Sequence, residues 1–94
     1  MYYYKRNILT EILPEINNLF DKINAGDYKI SNKIIQILEK IDIYFNKQYN
    51  KNDYLSHKLS LISYTLNDII KSIGMGVNIY YIQMRLQYII HILE

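Results

Sequence analysis

The chain contains no cysteine and no tryptophan, a single proline, Pro14, and only three glycines in 94 residues. Without cysteine there is no disulfide and no thiolate metal site. Scarce Gly and Pro leave few places where a helix is forced to stop. No run of eighteen or more apolar residues occurs, so no membrane-spanning helix is predicted. The amino-terminal Met1-Tyr2-Tyr3-Tyr4-Lys5-Arg6-Asn7 has no apolar stretch behind its charges and does not read as a signal peptide. The formal net charge is +2, short of the dense Lys/Arg face that nucleic-acid binding requires. Gly74-Met75-Gly76-Val77-Asn78 lacks both the lysine and the preceding strand of a phosphate-binding loop. These gaps predict a cytoplasmic protein with no cofactor, no metal and no nucleic-acid partner.

What is abundant is apolar. Hydrophobic residues make up 50% of the chain, isoleucine leads them, and there are eleven tyrosines. A chain this long buries roughly 60–65% of its unfolded surface. That suffices for one domain over residues 1–94 when the core is dense.

The apolar positions recur at helical spacing throughout. Ile8, Ile12, Ile16, Leu19 and Ile23, with Leu9, Leu13 and Phe20 beside them, form a stripe on a helix expected over 4–24. Pro14 interrupts it and predicts a kink or a split, because proline removes one helical hydrogen bond and crowds the preceding turn. Gly26 suits a left-handed cap. Ser31 is the expected N-cap of a second helix reaching about residue 48, lined by Ile30, Ile34, Ile37, Leu38, Ile41, Tyr44 and Phe45. The polar stretch 46–52 reads as a hairpin tip. Asp53 is the expected cap of a third helix, with a seam of Leu55, Leu59, Ile62, Leu66, Ile69 and Ile73. That spacing of four and three residues is the pattern of bundle helices. Gly74-Met75-Gly76 breaks it. Asn78 is the expected cap of a fourth helix, with the seam Ile79, Ile82, Leu86, Ile89 and Leu93. Short links make sequence neighbours antiparallel. The predicted fold is all-α: an antiparallel, up-down-up-down four-helix bundle.

The fourth helix carries more apolar surface than one seam requires. At about 100° per residue, Tyr81, Met84, Tyr88 and Ile92 make a second stripe, with Arg85 between it and the seam. A bundle helix needs one apolar face. A second one means either that the helix touches two neighbours, with Tyr2 to Tyr4 folding over it, or that a patch of Tyr, Met and Arg is left for a protein partner. Those residue types are enriched at interfaces. Tyr28, Tyr49 and Tyr54, in or near loops, lean toward the second alternative. Tyr81, Met84, Arg85, Tyr88 and Ile92 are therefore the candidate partner-binding residues.

Catalytic constellations are thin. His57 and His91 lie far apart with no neighbouring ligands, and Ser56-His57 has no positioned acid. Glu11 and Glu15, one turn apart around Pro14, suit the start of a helix. Lys47, Lys51 and Lys58 gather at the second hairpin, with Lys5 and Arg6 at that end of the bundle or the opposite one, and such lysines with tyrosines could touch RNA or make at most a peripheral membrane contact. Arg85-Leu86-Gln87-Tyr88-Ile89-Ile90-His91 is similar to the arginine–histidine motif of HEPN ribonucleases, helical enzymes that cut RNA across a dimer. Here Leu86 stands where that family places a polar residue, and Arg85 and His91 point about 120° apart on a helix. A toxin–antitoxin component of that kind, or a small phage or plasmid regulator, is the alternative to a binding protein.

One wider resemblance is present. The stretch Lys33-Ile34-Ile35-Gln36-Ile37-Leu38-Glu39-Lys40-Ile41-Asp42-Ile43-Tyr44-Phe45-Asn46-Lys47-Gln48, followed by Asp53-Tyr54-Leu55-Ser56-His57-Lys58-Leu59-Ser60-Leu61-Ile62-Ser63-Tyr64, resembles the middle helices of immunity proteins of pediocin-like (class IIa) bacteriocins. Those proteins are cytoplasmic, mildly basic four-helix bundles of about this length. The resemblance implies a non-catalytic protein that guards its producer. It would act from inside on the bacteriocin-bound mannose phosphotransferase permease, with recognition in the carboxy-terminal half and no small-molecule substrate. Members often carry a tail after the fourth helix, whereas here the helical pattern runs to Glu94.

Overall fold

The computed structural model of the chain describes residues 8–47 and 54–94. Four helices follow one another: α1 (Ile8–Asn24), α2 (Ser31–Lys47), α3 (Tyr54–Gly74) and α4 (Ile79–Leu93). No strand is present among the described residues. Each helix packs on its sequence neighbour, and α1 also packs on α4, so the four close into a ring around one core.

The seams predicted from spacing supply that core. Ile12, Ile16, Leu19 and Ile23 of α1 are buried, as are Ile34, Ile37 and Ile41 of α2 with Ile30 just before it. Leu59, Ile62, Leu66 and Ile69 of α3 and Ile82, Leu86 and Ile89 of α4 complete it. The outer seam positions Ile8, Leu55, Ile73, Ile79 and Leu93 are half-buried against this cluster. The preponderance of isoleucine has a consequence. A β-branched side chain holds essentially one χ1 rotamer on a helix, so these side chains pack with little rotameric freedom left to lose.

α1 runs through Pro14 as one continuous helix. Pro14 is exposed, and its missing N–H removes the helical amide partner of the Thr10 carbonyl. The expected helical residues 4–7, the Asp53 cap and Tyr49 lie outside the described residues, as do Tyr2 to Tyr4, Lys5, Arg6 and Lys51.

Two of the three connections use the same device. After α1, the Gly26 amide donates to the Ile23 carbonyl at 3.0 Å and the Asp27 amide to the Lys22 carbonyl at 2.8 Å. After α3, the Gly76 amide donates to Ile73 at 3.1 Å and the Val77 amide to Ser72 at 3.0 Å. This pair of bonds is the Schellman motif, which needs a left-handed residue at its hinge. Gly26 and Gly76 supply it, with φ of 88° and 71°. Asn78 then caps α4, its side chain accepting from the Tyr80 amide at 2.8 Å. The second helix starts differently from the expectation. The Ile34 amide donates to the Ile30 carbonyl at 3.0 Å, so Ile30 occupies the cap position and Ser31 is the first helical residue. Ile30 is fully buried, and anchoring it in the core sets the entry of the chain.

Candidate functional site on the outer side of α3 and α4

The tight turn at Gly76 joins α3 to α4. Asp68 lies eight residues before Gly76 and Arg85 nine after it, which brings them level. Arg85 Nε donates to Asp68 Oδ2 at 3.2 Å, and the Tyr81 hydroxyl donates to the same oxygen at 2.5 Å. The Arg85 guanidinium also lies 5.9 Å from the Tyr81 ring centre and 5.8 Å from that of Tyr88, within cation–π range. One carboxylate thus fixes a phenol and a guanidinium, and two rings flank the cation. Asp68 and Arg85 are each roughly three-quarters covered, so water weakens the pair less than it would a fully exposed one.

The Tyr81 phenol is held above its ordinary pKa. Its hydrogen bond to Asp68 is the main cause, desolvation and the Asp68 charge add to it, and Arg85 partly opposes them. A carboxylate acceptor favours the protonated phenol, so Tyr81 stays a donor at neutral pH.

Beyond this clamp the surface opens. Met84 is 67% exposed and Tyr88 43% exposed. Tyr80, one turn before Met84, is 70% exposed, and Tyr64, one turn before Asp68 on α3, is 72% exposed. Gln87 and His91 share the outward side of α4. Of the five residues picked out from the sequence, Met84 and Tyr88 stand on the open face. Tyr81, Arg85 and Ile92 are half-buried at its border. Gln83 reaches α1, where its Nε2 donates to Asn24 Oδ1 at 2.6 Å. The second stripe is therefore neither sealed in the core nor wholly free. One edge forms the clamp against α3, and the middle faces solvent.

The chain matches no protein-family model, no curated protein and no solved structure. The site is accordingly read from its own geometry.

Arg85 is turned onto Asp68 while His91 is exposed on the outer side, so the two do not meet within one chain. Ser56 is buried and His57 exposed, so these sequence neighbours do not form a nucleophile–base pair. No group of three or more His, Asp or Glu able to hold a metal occurs among the described residues. No helix among them is long and apolar enough to cross a membrane. Tyr54, the first residue of α3, lies under the Lys58 ammonium at 4.7 Å, which gives it a local role. A concavity of about 190 Å³ between α1 and α2 is lined by Pro14, Glu15, Asn18, Lys33, Gln36 and Ile37. It is smaller than the roughly 300–1,000 Å³ of ordinary ligand pockets, and Glu15 Oε2 is already bound by Lys40 at 2.9 Å.

Sequence reasoning missed Tyr80, Tyr64 and Asp68. The signal for Asp68 was countable, since it and Arg85 are nearly equidistant from the Gly76 turn. Tyr64 and Tyr80 could have been found as large apolar residues opposite their own seams.

Proposed function

We propose that the chain is a non-catalytic binding protein whose partner is another protein, engaged through the Tyr80–Met84–Tyr88 side of α4. In its most concrete form it is an immunity protein of the class IIa bacteriocin type. It would act in the cytoplasm of the producer on the bacteriocin-bound mannose phosphotransferase permease. In this reading the helices alternate up-down-up-down, with α1 bent at Pro14. The Glu15–Lys40, Asn24–Gln83 and Asp68–Arg85 contacts support the alternation.

The observation that carries the proposal is the open Met84 and Tyr88 beside an arginine already held by Asp68. Tyr, Met and Arg are the side chains that anchor protein interfaces. A clamped arginine presents its remaining donors without first losing rotamer freedom, and such preorganisation lowers the cost of binding. The adjoining tyrosines keep a polar tip for water when no partner is present.

The test is expression in a strain sensitive to class IIa bacteriocins. Resistance to one such peptide and not to unrelated ones is expected. Tyr88→Asp should remove that resistance while leaving the helical circular dichroism spectrum intact. Absence of protection against every member of a class IIa panel would remove the immunity reading. Unfolding of Tyr88→Asp would make the outer face of α4 a structural element.

A further inference from the structure

The open ridge of α4 reads the same in both directions. Met84 stands at its centre, with a tyrosine one helical turn before it, Tyr80, and another one turn after it, Tyr88. All three are exposed. An isologous dimer requires a patch complementary to its own rotated copy. When two α4 helices lie antiparallel across a two-fold axis at Met84, Met84 meets Met84 and Tyr80 meets Tyr88. The polarizable thioethers would sit among four tyrosine rings, a favourable sulfur–aromatic arrangement.

Charge does not oppose this pairing. Positions equally far from Met84 bring Arg85 opposite Gln83 and His91 opposite Val77, so no like charges of α4 face each other. Arg85 is further neutralised by Asp68 of its own chain. The area is modest. At the exposures of Tyr64, Tyr80, Met84 and Tyr88, and with about 150–250 Å² per aromatic side chain, each copy offers about 500 Å². Complete burial of all four in both copies would reach about 1,000 Å², the lower bound for a specific interface.

We propose that the chain self-associates through α4 into a weak two-fold dimer with Met84 on the axis. This rests on the reading of that face as a protein-interaction surface. It adds that a second copy occupies the face when no other partner does.

Sedimentation equilibrium tests it. The weight-average mass of the wild type should rise with concentration from one chain toward two. Met84→Glu and Met84→Lys each place like charges together on the axis, so each should remain at one chain over the same range. An equimolar mixture should regain the dimer. Met84 is mostly exposed, so both variants should keep their helical spectra.

Geometry is checked by cross-linking, which the absence of cysteine makes clean. Facing positions of closely packed helices come within disulfide reach. Met84→Cys should link to itself under mild oxidation. Tyr80→Cys and Tyr88→Cys should link to each other when mixed, and poorly when alone. Wild type that stays at one chain up to about 1 mM, where binding would be worth only about 4 kcal/mol, overturns the proposal. So does self-association that Met84→Glu leaves unchanged, or like-with-like linking of Tyr80→Cys. A monomer that still protects cells would sink the dimer alone. A dimer that gives no protection would sink the immunity reading alone.

Discussion

Gly74 and Gly76 stand two residues apart in one turn, yet replacing them with alanine should change stability in opposite directions. Gly76 has φ of 71°, while Gly74 is not among the positive-φ residues and is the last residue of α3. A Cβ built at either position meets nothing within 4 Å, so crowding by neighbours drops out and only the backbone differs. At Gly76 an L side chain in the left-handed region costs about 1–2 kcal/mol. At Gly74 the native conformation suits alanine, and restricting the unfolded chain stabilises by about 0.4–1 kcal/mol. The two variants should therefore differ by about 1.5–3 kcal/mol. For a domain of this size each kcal/mol shifts Tm by about 4–8 °C, so their melts should lie about 6–24 °C apart. Circular dichroism at a helical wavelength, read through thermal unfolding, measures this directly. The turn sets the register that places Asp68 beside Tyr81 and Arg85, so the result bears on the site as well. A Gly76→Ala protein that melts at or above wild type would refute the assignment of the turn, and with it the levelling of α3 against α4.

Leu66→Ala should destabilise by about 2–5 kcal/mol in urea unfolding, because Leu66 is fully buried at the middle of the α3 seam; a change under about 1 kcal/mol would mean that the ring of helices leaves its centre loosely filled. The Tyr81 phenol, raised by its bond to Asp68, carries its proton in both folded and unfolded chains below about pH 10, so its contribution is whole there. As pH climbs beyond that value the unfolded chain releases the proton first, and the contribution is lost by the time the folded phenol ionises. Wild type should lose stability more steeply above about pH 10 than Tyr81→Phe, and parallel slopes would show that the Tyr81–Asp68 bond does not persist in solution.

Helix existence and the inward face of each helix were legible because burial and periodicity are the same constraint. Ile12, Ile16, Leu19 and Ile23 recur at three and four residues for the reason that they are buried: only that spacing keeps them on one side. The caps were legible where a local rule acts alone. Asn78 has no competing demand, and its side chain takes the Tyr80 amide as expected. At the start of α2 two demands compete. Ser31 has the right chemistry for a cap, but Ile30 has a buried place to fill, and the helix begins one residue earlier than Ser31 would dictate. The buried Ser56, Thr65 and Ser72 of α3 were not foreseen either. Thr65 tolerates burial because its hydroxyl donates to the Leu61 carbonyl one turn back at 2.8 Å, a local bond that periodicity does not register.

The candidate site was only half legible, since it is a product of two helices and periodicity describes one at a time. Taken alone, α4 shows Tyr81, Met84, Arg85, Tyr88 and Ile92 as one stripe. Placed against α3, the stripe divides. Tyr81 and Arg85 find Asp68, which the periodicity of α4 alone cannot reveal, and they become fixed. Met84 and Tyr88 find nothing on the neighbouring helix and stay open. That division is what gives the surface its character. A wholly buried stripe would offer nothing to a partner, and a wholly free one would pay the full entropy of ordering its long side chains on contact. Here the most flexible member, Arg85, is already held by a contact that folding itself provides, and the residues left open are a methionine and tyrosines with few rotatable bonds.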